Sequence, residues 1–280
     1  MNVPEDVIKC VVFVGFQTKD GDRHLAGSAF FVGKQSTDGH DVFLITARNV
    51  VDRIRKRGLS DVFIRANTTA GQSAWFKTRC KDWFFHPTDL SINVAVLRAE
   101  FPPELDHVFV PESLWLANDQ GQPNPLGLGD EVFIVGLFRN FHGTNKNIPI
   151  VRTGHLAAMP EEKVAVRQFG LIDAYLIEAR SLGEITGSPV FLHVGTDRAT
   201  DCDVNQAQRG TAICWLGLVH GHYDVPLTPI DSAAKAADDV LSIDCANTGI
   251  TIVVPAHKIQ EVVRAYSRQV SQPTKTMTKS

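Results

Sequence analysis

Between Val7 and Arg98 the chain alternates short apolar runs rich in β-branched residues with turn formers. The runs are Val7 to Phe16, Leu25 to Val32, Asp41 to Thr46, Asp61 to Ala66, Ala74 to Lys81 and Leu90 to Arg98. Polar stretches divide them, among them Gln17 to Arg23, which contains Gly21, and Gln35 to His40. Turn signals recurring every ~8–12 residues specify an all-β barrel or sandwich. Within the last run, Val94-Ala95-Val96-Leu97 is apolar throughout, the pattern of a strand covered on both faces. Ala47 to Ile54 reads as the one short helical segment in this half.

From Ser113 to Gly129 the composition changes. Asn118 to Gly127 is rich in Asn, Gly, Gln and Pro and has little to bury, so residues 113–128 read as a connection between two β units. Strand patterns then resume at Glu131 to Leu137, Ile150 to Ala158, Ala174 to Ala179, Pro189 to Val194, Gly210 to His222 and Gly249 to Val254. Pro255 to Arg268 is the one clear helix. Pro suits a helix start, and Ile259, Val262, Val263 and Tyr266 form an apolar stripe able to dock on the second β unit. The units predicted are an N-terminal one over 5–112, the connection, a C-terminal one with its closing helix over 129–268, and a frayed polar tail over 269–280.

Composition bounds the function. A 280-residue chain with 44% hydrophobic and 21% charged residues is an ordinary globular protein. A formal net charge of −3 argues against nucleic acid and membrane surfaces as partners, because their general binders are basic. The apolar run Val11-Val12-Phe13-Val14 is too short for a signal-peptide core or a membrane span. The five cysteines, Cys10, Cys80, Cys202, Cys214 and Cys245, are odd in number and lack any CxxC spacing. They read as reduced, buried thiols of a cytoplasmic protein, with room for a single bridge, and not as a zinc site.

Three segments, in order, resemble the trypsin-like serine peptidases. Phe43-Leu44-Ile45-Thr46-Ala47-Arg48-Asn49-Val50-Val51 is similar to the segment that carries the family's general base. Ser91-Ile92-Asn93-Val94-Ala95-Val96-Leu97 is similar to the segment of the orienting carboxylate. Gly183-Glu184-Ile185-Thr186-Gly187-Ser188-Pro189-Val190-Phe191 is similar to the nucleophile turn. Gly27 to Val32, Gly129 to Gly136, Gly217 to Gly221 and Asn247 to Lys258 add weaker matches, so the likeness extends from about Val7 to Tyr266. It implies an all-β fold of two antiparallel six-stranded β-barrels of the chymotrypsin type with a C-terminal α-helix. The site would lie between the barrels, and no cofactor or metal is implied.

The residues at those positions change the chemistry. The mechanism needs an attacking hydroxyl, a base, a carboxylate that orients the base, and N–H donors for the oxyanion. The base position holds Asn49, whose amide cannot take up a proton near neutral pH. The orienter position holds Asn93, which carries no charge. Thr186 replaces the nucleophilic serine, and Glu184 replaces the glycine that shapes the oxyanion hole together with the N–H of Thr186. Losing the serine or the histidine alone costs such an enzyme roughly a millionfold in turnover. The resemblance therefore implies a peptidase scaffold without peptidase chemistry. It would bind a peptide or protein partner in the inter-barrel cleft, along Leu218, Val219, His220 and Gly221, by strand addition. The alternative is an active endopeptidase with a non-standard catalytic set drawn from His86, Asp89 or Ser188. His220-Gly221-His222-Tyr223-Asp224 also permits a metal reading, but no third ligand stands at a telling spacing, and a cleft-lining role is preferred. Arg53-Ile54-Arg55-Lys56-Arg57 reads as a solvated helix end. Oligomeric state is not specified.

Overall fold

In a computed structural model, residues 3–36, 39–116, 126–166, 168–180, 185–194, 212–226, 245–269, 275–276 and 278–279 are described. After a short helix α1 (Glu5–Lys9), the first half forms β1 (Val11–Gln17), β2 (Arg23–Ser36), β3 (Gly39–Thr46), α2 (Arg48–Lys56), β4 (Asp61–Asn67) and β5 (Ser73–Arg79). β6 (Phe84–Phe85) and β7 (Ala95–Glu100) complete it. The predicted runs and the early helix are all present, with two adjustments. Val7 belongs to α1 instead of the first strand, and Ser91 to Val94 precede β7 without strand pairing.

These strands pair antiparallel in the order β7-β3-β2-β1-β4-β5, with β6 added on β7. The hairpin β2–β3 keeps Phe30↔Ile45, Phe31↔Leu44 and Val32↔Phe43 in register, so consecutive apolar residues serve both faces of the wrapped sheet. This first unit is wrapped without closing on itself as a ring. No ladder joins β5 to β7 directly. β5 runs into a 3-10 turn at Cys80–Asp82, and the chain regains β7 only through the two-residue β6. The seam is instead met by residues from the tail that was predicted to fray. Lys275–Thr276 (β16) pairs in parallel with β7, and Thr278–Lys279 (β17) pairs antiparallel with β5.

The second half contains β8 (Glu131–Gly136), β9 (Ile150–Ala158), the small hairpin β10 (Val164–Val166) and β11 (Gly170–Ile172), and β12 (Tyr175–Glu178). β13 (Pro189–Val194), β14 (Ala212–Pro226), β15 (Cys245–Pro255) and α3 (Ala256–Gln269) follow. Six of these strands close a barrel in the order β12-β15-β14-β13-β8-β9. The fold is thus mostly β and chymotrypsin-like, with one closed six-stranded barrel, a second wrapped sheet and a C-terminal helix.

The two halves share one core. Phe133, Phe191 and Trp215 of the barrel belong to the same buried cluster as Phe13, Phe30 and Phe43 of the first sheet, and Phe30 meets Trp215 edge-on at 5.5 Å. α3 departs from expectation by serving both units. Its buried Ile259, Val262 and Val263 join that cluster, and Tyr266 packs edge-on against Phe43 and Phe84. Full burial of side chains of this size contributes about 1.5–3 kcal/mol each, so the helix clamps the two halves together. Cys10 and Cys80 are free and buried, whereas Cys214 is disulfide-bonded, which corrects the reading of all five cysteines as reduced thiols.

Candidate functional site

The start of α2 lacks a cap of its own. Ala47 occupies the N-cap position and has no side-chain oxygen to offer the orphan N–H groups of the first turn. Asn93 supplies one from 44 residues away in the sequence: Asn49 N–H donates to Asn93 Oδ1 at 2.9 Å. Asn93 is fully buried, so this oxygen fixes the orientation of its amide. Its Nδ2 then donates to His220 Nδ1 at 2.9 Å. The imidazole nitrogen facing Asn93 must therefore be unprotonated, and the ring's single proton lies on Nε2. Asn49 completes the triangle, its Nδ2 donating to the His220 carbonyl at 3.3 Å.

His220 is 5% exposed and stands edge-on to Phe169 with ring centroids 5.0 Å apart. Burial pushes its pKa down to about 4. Desolvation is the cause, because no carboxylate faces the ring to favour its charged form. The sequence assigned His220 to the cleft lining, and the structure adds that it faces Asn93. One signal was available: His220 directly follows the buried strand run Trp215 to Val219, where a polar side chain demands a polar partner.

The turn carrying Thr186 reaches the same place by its backbone. Gly187 has φ +86°, and its N–H donates to the Val219 carbonyl at 2.9 Å. A Cβ on Gly187 would run into the Ser28 carbonyl and the Thr46 hydroxyl, so this position requires glycine both for conformation and for space. Thr186 is buried at 4% exposure, and its carbonyl accepts from Ser28 N–H at 3.0 Å. A Cβ on Gly27 would come within 2.9 Å of that carbonyl and 2.9 Å of Val50 Cγ2. Thr186 is therefore lodged against β2 and α2, close to the Asn49 turn. Glu184, predicted at the oxyanion position, lies outside the described residues. Two side-chain oxygens at the site are buried without a partner among the described residues, Asn49 Oδ1 and Ser188 Oγ.

Of the predicted cleft stretch, Leu218 and Val219 have strand neighbours on both edges. Leu218 is opposite Pro189 on β13 and Val254 on β15, and Val219 N–H donates to the Ser188 carbonyl while pairing with Val253. Neither can receive an added strand. β13 ends its pairing at Leu218, so among the described residues β14 has an open edge from Gly221 through His222 and Tyr223 to Asp224. A bulge between Val219 and Gly221 isolates His220 from its β15 register and frees its carbonyl for Asn49.

Two of the substitutes considered for a relocated catalytic set, Asp89 and His86, are engaged elsewhere. Asp89 accepts from both the N–H and hydroxyl of Ser91, and the Ser91 hydroxyl is the main reason its pKa falls below the usual carboxylate range. His86 Nδ1 accepts from Asp89 N–H. His222 Nε2 lies 3.2 Å from Asp224 Oδ1. Among the described residues no group of three or more His, Cys, Asp or Glu side chains is placed to hold a metal. None of the helices there is long and apolar enough to cross a membrane.

No protein-family model matches this chain, and no curated protein matches it in sequence. Solved structures do. The HtrA-type protease AlgW with a decapeptide superposes at TM-score 0.52 and 13% identity, covering 95% of this chain and 66% of that one. Deg5 (TM-score 0.48, 14% identity) covers 93% and 88%, and human heparin binding protein (TM-score 0.48, 11% identity) covers 98% and 97%. At these identities the likeness is one of fold.

Proposed function

We propose that this protein is a trypsin-like peptidase scaffold without peptidase chemistry, which binds an extended peptide or a protein segment in the cleft between its two β units. The observation that carries the reading is the amide-for-imidazole arrangement at Asn49. Its side chain donates to the His220 carbonyl, its N–H is held by Asn93, and neither amide can accept a proton from Thr186. The open edge of β14 from Gly221 to Asp224 supports the binding half, because strand addition needs unpaired backbone and no catalytic set.

A second reading is an endopeptidase with a non-standard set, and His220 is what favours it. The imidazole is neutral at pH 7 and hydrogen-bonded to Asn93, as a base would be oriented. Against it, a base whose pKa is near 4 holds a transferred proton poorly, and Nδ1 is already capped by the amide. Two arms decide between the readings. Purified protein should neither label with a serine-reactive fluorophosphonate nor cleave an unstructured protein substrate, and labelling that is lost on Thr186→Ala or Ser188→Ala would overturn the proposal. The combined change Asn49→His, Asn93→Asp, Thr186→Ser and Glu184→Gly should then produce measurable cleavage. A folded, inert product would mean that the scaffold has lost more than its triad. A cytoplasmic location goes with this reading on the strength of the free Cys10 and Cys80, although the Cys214 disulfide weighs against it; cell fractionation tests it.

A further inference from the structure

Beside the Asn49 turn is a cavity of about 250 Å³ lined by Phe16, His24, Leu25, Ala26, Arg53, Arg57 and Arg139. Three guanidinium groups and an imidazole share it, and among the described residues no carboxylate lines it. The acidic residue of α2, Asp52, is engaged by Arg48 and Arg55. Basic residues in the last turn and C-cap of a helix are common for dipole reasons, which accounts for Arg53 and Arg57. It does not account for Arg139, which comes from the second β unit in the 3-10 turn Arg139–Phe141. The groups are also held in place: Arg57 stacks 4.4 Å over the Phe16 ring, Phe16 stacks on His24, and Arg53 Nε donates to the Asn49 carbonyl at 3.2 Å. Arg53 feels the crowding, its pKa lowered by burial first and then by repulsion from Arg57 and Arg139.

The cavity adjoins the candidate site on two sides. Arg53 lies one helical turn from Asn49, and Ala26 precedes Gly27, which backs onto the Thr186 carbonyl. We propose that this cavity is an anion subsite at one end of the cleft, where Arg53, Arg57 and His24, with Arg139 alongside, receive the carboxylate or phosphate of a negatively charged residue in the bound segment. This rests on the peptide-binding reading above and names the chemistry of its partner. Guanidinium groups bind planar oxyanions through paired N–H donors, and clustering them on rigid supports lowers the cost of assembling the site. The overall field points the other way, since the chain carries a net charge of −3. Preference for an acidic partner must therefore come from a local site.

The test measures binding of three unstructured peptides, identical except for one central residue, by fluorescence anisotropy on the full chain. That residue is Glu, phosphoserine or Gln. Both anionic peptides should bind at least about tenfold more tightly than the Gln peptide, the scale of a charge-assisted hydrogen bond. Arg53→Gln with Arg57→Gln should abolish the preference, and Lys81→Gln with Lys163→Gln, which removes the same charge from exposed positions elsewhere, should leave it intact. Circular dichroism confirms that each variant is folded, and Arg53→Lys with Arg57→Lys, which keeps the charge but not the paired donors, should retain part of the preference. The order of Glu and phosphoserine tells which anion the site was built for. Equal binding of all three peptides overturns the subsite and leaves the peptide-binding reading standing. Failure of all three to bind overturns both.

Discussion

His220 offers the sharpest quantitative test of how the site is built. Its imidazole is buried and neutral, with a pKa near 4 against an ordinary value of 6.5. Between those two values the unfolded chain binds a proton that the folded chain does not, so stability rises with pH across this window and is lost as pH falls through it. The contribution is fully present above pH 6.5. It falls by about 2 kcal/mol on acidification to near pH 5 and by about 3 kcal/mol near pH 4, from 1.36 kcal/mol per pKa unit. Other groups also titrate there, so the comparison needs a partner variant that cannot charge. His220→Asn keeps an acceptor opposite Asn93 Nδ2 and has no titration. Urea melts of both proteins at several pH values should show their stability difference narrowing by about 2–3 kcal/mol between pH 7 and pH 4. The Cε1–H resonance of His220 should titrate with a midpoint near 4. A midpoint at or above 6, or a pH-independent difference between the two proteins, would refute the buried, neutral, Asn93-bonded imidazole.

Asn93→Asp should raise the His220 midpoint by at least about one unit, since a carboxylate replaces an N–H donor beside Nδ1 and favours the protonated ring; an unchanged NMR titration would contradict the contact. Arg65 is 5% exposed and donates to the carbonyls of His142, Gly143 and Thr144 and to Asn147 Oδ1, tying residues 142–147 to β4. Arg65→Leu should cost about 2–4 kcal/mol through stranded acceptors and speed amide exchange at Asn147, whose N–H donates to Asn67 Oδ1, as read by hydrogen exchange. Gly187→Ala should destabilise far more than Gly21→Ala. Both have positive φ, but only at Gly187 does the new methyl meet backbone, so thermal melts should separate them by at least about 2 kcal/mol.

Much of the fold was legible because period-two apolar runs and turn formers are local signals. β1 to β5, β8, β9 and β12 to β15 fall where the runs do, and α3 where its stripe does. Asn49, Asn93 and Thr186 were nameable one by one from flanking motifs. What they would touch was not, because hydrogen-bond partners at sequence separations such as 44 and 127 residues are set by packing. The basic run Arg53 to Arg57 is the solvated helix end it was read as, with Arg53, Arg55, Lys56 and Arg57 exposed, but that Arg139 of the other β unit joins Arg53 and Arg57 at one cavity was not legible, for the same reason.

By itself, then, the sequence determined most of the longer strands, the closing helix and which side chains stand at positions 49, 93 and 186. Tertiary structure alone decided that one unit closes as a ring while the other is wrapped and met by the tail, and that α3 clamps both. It also decided that Asn93 is held between the N–H of Asn49 and the ring of His220. The physical reason is one of range. Propensity and periodicity act over a few residues, whereas burial of a polar group is compatible with folding only if some distant residue completes its hydrogen bonds, and the partner is chosen by how the sheets close.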